Sequence, residues 1–317
     1  MGVNLDKPDR WKKDIALSVD QYNQWFLLFA PKTYRDERVK ATKHVEAMLQ
    51  RTQYLRNLTA NELRENPSIL FALRMSTAPP IARDRLIGLA GLPRSLVNTM
   101  EKEGKLPTLM MTANLDENLR RIAAMIVRLA DVDIFPWLGE GRDPSDQEVY
   151  RAATIVADRL CGANADPIVR NAQEQRQLAM IKKWLEARGY KEGLRKISLD
   201  QMEPGTFAFR FNIPGLKEDR ESVNIPVDAV VMRLKAKRGE LPLMIEAKSA
   251  GDFTNTNKRR KEEAAKVGQL RRNHGKTVRY ILFLCGYFDS GYLGYEAAEG
   301  IDWVWEHRID DLAKFGL

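Results

Sequence analysis

Charged groups interrupt two apolar runs in the second half of the chain. Ile225-Pro226-Val227-Asp228-Ala229-Val230-Val231-Met232 carries one acid, and Leu243-Met244-Ile245-Glu246-Ala247-Lys248 carries an acid and an amine two residues apart. An unpaired charge inside an apolar run is costly, so these positions point to a function. Two carboxylates can hold Mg²⁺ against a scissile phosphodiester, because a small hard cation takes few protein oxygens and keeps several waters. Such a cation neutralises charge on the phosphoryl oxygens and lowers the pKa of a bound water. The Lys248 ammonium orients that water or stabilises charge growing in the transition state. Phosphodiester hydrolysis is therefore the chemistry expected of Asp228, Glu246 and Lys248, with Asp228 and Glu246 as the Mg²⁺ ligands. The competing reading is a solvated hairpin, since a bare D…E-x-K pattern arises often by chance.

The elements around these residues decide whether they meet. Both runs are short and rich in Val, Ile, Leu and Met, and the segment between them is polar, with Gly239 and Pro242. That is the pattern of two neighbouring strands. Side chains alternate along a strand, so Glu246 and Lys248 share a face, and Asp228 joins them if the strands pair. Around them the pattern predicts a helix over 168–188, a strand over 206–213, a helix over 258–273 and a strand over 278–285. This α-β-β-β-α-β order implies an α/β fold with a mixed central sheet flanked by helices. Residues 1–150 read instead as a helical N-terminal domain, with helical spacing over 36–58 and 116–130 and breaks at Pro79-Pro80 and Gly139-Glu140-Gly141-Arg142-Asp143-Pro144. The boundary to a catalytic core over 151–317 falls at this second break or at Asn164-Ala165-Asp166-Pro167.

Directly after Lys248 the chain turns basic. From Gly251 to Tyr280 there are nine Lys/Arg against three Asp/Glu, most of the chain's net charge of +8. Lys and Arg grip phosphates, and Arg, Lys and Asn read purine edges in the major groove. Asn255, Asn257, Lys258, Arg259, Arg260 and Lys261 are accordingly expected at DNA; the alternative is a solvated helix face. A second DNA element is expected between Arg83 and Met100, where two short helical pieces flank Ala90-Gly91 as in a helix-turn-helix. Arg94, Ser95 and Asn98 would face the groove, although short helices with a glycine turn also occur as ordinary packing.

In this strand context Asp228, Glu246 and Lys248 resemble the PD-(D/E)XK nuclease superfamily over the C-terminal half of the chain. The stretch Ile245-Glu246-Ala247-Lys248-Ser249-Ala250-Gly251-Asp252-Phe253-Thr254-Asn255 is similar to type II restriction endonucleases of the XamI-type group. Ser76-Thr77-Ala78-Pro79-Pro80-Ile81-Ala82-Arg83-Asp84-Arg85-Leu86 and Trp303-Val304-Trp305-Glu306-His307-Arg308 fit the same group. One departure is visible: Val227 separates Pro226 from Asp228, and that proline has no chemical role. The resemblance implies a Mg²⁺-dependent, sequence-specific endonuclease acting on double-stranded DNA. It also implies a further carboxylate on the metal site from the preceding helix, Glu174, whose alternative is an exposed helix glutamate. A short palindromic target and hence a homodimer follow from the same resemblance. A structure-specific or repair nuclease with the same core is the alternative within the class. A non-cleaving DNA-binding regulator is the alternative outside it, and such a protein has no need of the Asp-Glu-Lys set.

Composition agrees with these expectations. The 317 residues are 44% hydrophobic and 30% charged, which is globular, and a pI near 9.4 suits a polyanion. Cys161 and Cys285 form no C-x-x-C motif, so a reducing cytoplasm is expected. The N-terminus lacks an apolar signal core, and the apolar run over 280–288 is too short to span a bilayer, so no membrane association is expected. No nucleotide cofactor is expected either. Gly275-Lys276-Thr277 lacks the leading glycine of a P-loop and precedes a strand instead of following one. His307 reads as packed on an aromatic-rich strand.

Overall fold

Helical and strand-forming text segregate along the chain, and the computed structural model segregates with them. It describes residues 2–108, 111–163, 165–193, 197–253 and 256–317, with the backbone alone for 165–166 and 256–260. The chain divides into two units, one of Met1–Pro31 with Val169–Leu317 and the other of Lys32–Ile168.

Helix α1 (Pro8–Arg51) ends in a turn where Gln53, Tyr54 and Leu55 take positive φ. The helical unit continues with α2 (Ala60–Glu65), α3 (Leu70–Met75), α4 (Arg83–Ala90), α5 (Arg94–Glu103), α6 (Thr112–Leu129), α7 (Trp137–Glu140) and α8 (Asp146–Ala163). Their apolar stripes close one core around Leu49, Leu70, Val97, Ile122, Trp137 and Val156. The two short helices expected around Ala90-Gly91 are α4 and α5, and Gly91, at φ +61°, ends the first of them. Helix α5 packs through Leu96, Val97 and Met100. Inside this unit Arg74 grips Glu101 through two hydrogen bonds, 2.5 and 3.0 Å long, and both side chains are buried.

The other unit holds α9 (Ala165–Glu186), α10 (Thr256–His274) and α11 (Ser290–Ala298) around one six-stranded sheet. The strands run in sequence order: β1 (Lys191–Glu192), β2 (Thr206–Leu216), β3 (Ser222–Val231), β4 (Leu243–Ala250), β5 (Arg279–Gly286) and β6 (Asp302–Trp305). β2–β3 and β3–β4 pair antiparallel, whereas β1–β2, β4–β5 and β5–β6 pair parallel. This is the expected mixed sheet flanked by helices, with β1, α11 and β6 added to the predicted order. The inner strands β4 and β5 are buried on both faces, which is why they read as nearly continuous apolar runs. Leu178, Ile181 and Leu185 of α9 cover one face, against Ile245 and Phe283. Val267 and Leu270 of α10 and Tyr292 and Leu293 of α11 cover the other, against Met244, Leu282 and Leu284.

Residues 1–31 join this unit through Asp302 and through contacts of Trp11, Asp14 and Ser18 with Trp303, Arg308 and Gly286. The buried Asp302 carboxylate, at the start of β6, accepts from the backbone N–H groups of Val3, Asn4 and Leu5 at 2.5–3.1 Å. His307 stacks on Trp305 and faces Asp14 at 3.3 Å, a packed side chain as expected, but it lies in the 3₁₀ turn after β6 and not on the strand, which ends at Trp305. Among the described residues no helix is long and apolar enough to cross a membrane.

Candidate active site

Strand alternation sets the site. On β4, Leu243 and Ile245 enter the core beneath α9, so Met244, Glu246 and Lys248 face α10 and α11. On β3 the register pairs Ala229 with Ile245, which puts Asp228 at the next position beside β4. There the Asp228 Oδ2 accepts from the Ala247 N–H at 2.8 Å. A side-chain carboxylate thus meets the β4 backbone at the point where the ladder ends, and it fixes Asp228 next to Glu246. Across β3 on the other side, Phe209 pairs with Ala229 and Phe211 with Val227, so Arg210 lies opposite Asp228. Arg210 adopts φ +52°, an uncommon left-handed conformation for a residue with a side chain. Phe207 and Phe209 before it enter one core and Phe211 and Ile213 after it enter the other, so the strand changes face beside the site.

The electrostatics are those of a crowded acidic pocket. Lys248 Nζ lies 3.0 Å from Glu246 Oε1 and 2.8 Å from Glu263 Oε1. Lys266 Nζ reaches the same Glu246 Oε1 at 2.5 Å. Tyr280 OH donates to the other Glu263 oxygen at 2.5 Å. Burial, reinforced by the Glu246 carboxylate, pushes the Asp228 carboxyl up to about 7 against the opposing Ala247 N–H and Lys248. Burial alone would lower Lys248, but the Glu246 and Glu263 carboxylates outweigh it and hold the ammonium above the usual lysine range. Glu296 on α11 is pushed up to about 8, again by burial, with Glu263 adding to it.

A divalent cation fits this pocket. Two ammonium groups stand against the carboxyls of Asp228, Glu246, Glu263 and Glu296, and Glu246 Oε2 is buried without a hydrogen-bond partner. The Glu246 carboxylate disfavours charge on Asp228, which a cation between them would relieve. Among the described residues no three His, Cys, Asp or Glu side chains form a ready-made cage. Two carboxylates with water and phosphate oxygens completing the shell are the sort of ligand set Mg²⁺ takes.

The other expected site residues fall in three places. Glu174, on α9, is partly exposed and accepts from Arg210 at 2.9 Å, and its charge is felt at Asp228. Arg94 and Ser95 are exposed at the start of α5, and the half-buried Asn98 accepts from Arg83 at 2.9 Å. Lys261 is exposed on α10. Asn255 lies outside the described residues, as do the side chains of Asn257, Lys258, Arg259 and Arg260 in the first turns of α10.

Sequence reasoning missed Glu263, Lys266, Tyr280 and Glu296. For one of them a signal was present. Val267 and Leu270 form the buried stripe of α10, and Glu263 occupies the preceding position of that stripe. A glutamate where the period asks for an apolar residue marks a buried partner. Gln177, on α9, was missed as well; its Nε2 donates to the carbonyls of Lys248 and Phe283 at 3.4 and 3.3 Å, tying the helix to β4 and β5.

The chain matches the family model described as XamI restriction endonuclease over residues 53–305. It is 55% identical to the type II restriction enzyme SalI of Streptomyces albus G, over 99% of both chains. It is 26% identical to the type II restriction enzyme XamI of Xanthomonas campestris pv. amaranthicola, over 61% of this chain and 63% of that one. No solved structure matches.

Proposed function

The chain belongs to the XamI restriction endonuclease family, and on that premise we propose that it cuts DNA through Asp228, Glu246 and Lys248, with Mg²⁺ as the working cation. It is a type II restriction endonuclease, a site-specific deoxyribonuclease acting on double-stranded DNA. The observation that carries the site assignment is the Asp228–Ala247 hydrogen bond, which brings the β3 acid beside Glu246-Ala247-Lys248 of β4. Asp228 and Glu246 would hold the cation, and Glu174, which accepts from Arg210, would join them on leaving it. When bound, Mg²⁺ neutralises charge on the scissile phosphate and makes its bound water more acidic. Lys248, kept cationic by its two carboxylates, directs an N–H at the attacking water or at the developing phosphorane charge. Digestion of plasmid DNA with and without Mg²⁺ tests this reading. Discrete bands that require the cation are expected; an unordered smear, or no cleavage, contradicts it.

The raised Asp228 carboxyl gives the cation a pH dependence. Below about 7 the group carries a proton that the metal must displace, and above it the carboxylate is already charged. Divalent affinity of the DNA-free protein should therefore rise by about tenfold per pH unit up to pH 7 and level off above it, a slope set by one displaced proton. Titration calorimetry with Mg²⁺ between pH 5.5 and 8.5 reads the profile directly. A flat profile would remove Asp228 from the metal site.

DNA contact is assigned to the exposed Lys261 with the amide and basic residues before it, Asn255, Asn257, Lys258, Arg259 and Arg260, and to Arg94, Ser95 and Asn98 of α5. Helix α5 presents Arg94 and Ser95 on its solvent side, which suits a groove-facing end in a helical N-terminal domain. A palindromic target read by a twofold pair supports a homodimer on DNA. Light scattering of Asp228→Asn on a duplex carrying the mapped cut site should give two chains per duplex, and one chain per duplex would exclude the dimer. Two buried free thiols, Cys161 and Cys285, suit a reducing cytoplasm.

A further inference from the structure

We propose that Glu263 is a positioning residue for Lys248, drawing its ammonium away from Glu246 so that Glu246 is open to a cation. The proposal rests on the reading of Asp228 and Glu246 as the metal ligands. Glu263 is fully buried on the apolar stripe of α10, so it cannot reach DNA or solvent. A carboxylate in that place is expensive unless its partners are fixed. Lys248 Nζ meets one of its oxygens at 2.8 Å, and Tyr280 OH donates to the other at 2.5 Å. Tyr280 is itself buried on β5, one strand away from β4, and so anchors the carboxylate to the sheet.

The geometry around Glu246 explains what such an anchor does. Glu246 Oε1 already carries two ammonium groups, Lys248 at 3.0 Å and Lys266 at 2.5 Å. An ammonium seated on a metal ligand competes with the metal for the same lone pairs. Glu263 gives the Lys248 ammonium a second carboxylate at 2.8 Å, beside Glu246 at 3.0 Å, so that Lys248 can release Glu246 to a cation without losing its charge partner. Lys266 comes from the same helix three residues on, but its side chain is more exposed, at 24% against 17% for Lys248. It can leave towards solvent or phosphate when a cation enters, whereas Lys248 has Glu263 as its alternative partner. Glu263 thus lets one lysine stay next to the reacting phosphate without blocking the carboxylate.

The test is Mn²⁺ binding to the DNA-free protein, followed by the electron paramagnetic resonance of the free ion. Glu263→Asp keeps the charge but withdraws the carboxylate by one methylene, so it separates position from field. In an otherwise native chain it should weaken Mn²⁺ by about tenfold, as expected when an ammonium gains hold of a ligand oxygen. In a Lys248→Met background the same change should shift the Kd by less than about twofold, because the competitor is gone. Equal weakening in both backgrounds would make Glu263 a metal ligand and overturn the proposal. No change in either would reduce it to a packing residue, which overturns it too. Melting temperatures check folding, and if Glu263→Asp does not fold, Tyr280→Phe frees the same carboxylate with all charges kept and must show the same dependence on Lys248. Asp228→Asn is the control for the underlying reading: if it binds Mn²⁺ as the native chain does, the metal site itself is elsewhere and the proposal falls with it.

Discussion

Asp228→Ala, Glu246→Ala and Lys248→Ala are each expected to lower the single-turnover rate of DNA cleavage by at least ~10³-fold, with the fold intact. The first two remove an oxygen ligand from a two-carboxylate set, and the third removes the cation next to the reacting phosphate. Asp228→Ala and Glu246→Ala leave no ammonium unpaired deep in the core, whereas Lys248→Ala leaves the buried Glu263 with the Tyr280 hydroxyl, so melting temperature checks that variant's fold. Without Glu246, Lys248 keeps Glu263, and without Lys248, Glu246 keeps Lys266. Asp228→Asn gives the assignment a second and opposite signature. The folded-state pKa of Asp228, about 7, lies above the ordinary carboxyl value, so the folded protein binds the proton more tightly than the unfolded chain. Its contribution to stability is therefore full below pH 4 and lost as pH rises through 7. Asn cannot ionise and keeps an acceptor for the Ala247 N–H. At pH 8 and without metal, Asp228→Asn should melt higher than the native chain while cutting no DNA. Full activity in any two of the alanine variants would sink the assignment.

The largest effect on stability is expected in the helical unit. Arg74 and Glu101 are 6% and 8% exposed and paired through two hydrogen bonds, and Arg74 donates as well to the Ile81 carbonyl. Truncating one partner leaves the other charge buried, so Arg74→Ala or Glu101→Ala should cost about 3–5 kcal/mol. Removing both charges is different. Arg74→Met with Glu101→Leu retains the volume and leaves only the Ile81 carbonyl unpaired, and it should recover most of the loss. Urea denaturation of the full-length chain measures all three. A cost below about 1 kcal/mol in both single variants would show that the pair is hydrated in solution.

What could be read from the sequence was what local chemistry controls. Asp228 and Glu246 stood out because each interrupts a run of Val, Ile, Leu and Met, and strand alternation then placed Glu246 and Lys248 on one face. Helix α10 was legible from its helical composition, and α9 from Asp166-Pro167, which reads as a helix start. Tertiary contacts were not. Lys248 meets Glu263 because α10 lies over the sheet face that carries Met244, and no local pattern states which face that is. The attachment of the first residues to Asp302 spans 297–299 positions of sequence. Arg210 escaped notice for a different reason: its left-handed backbone sits in the middle of β2, where its residue type gives no warning. Helix α1 continues through Pro31, although a proline inside a helix removes one backbone hydrogen bond and ordinarily marks a break.

Crystals of the chain with its mapped duplex, grown with Mn²⁺ in place of Mg²⁺, test the central claim most directly through the anomalous signal of the metal. A peak is expected about 2 Å from carboxylate oxygens of both Asp228 and Glu246, as for a hard cation, with the scissile phosphate on its open side and Lys248 Nζ alongside. A peak held by other residues, or a phosphate lying away from Asp228 and Glu246, would contradict it.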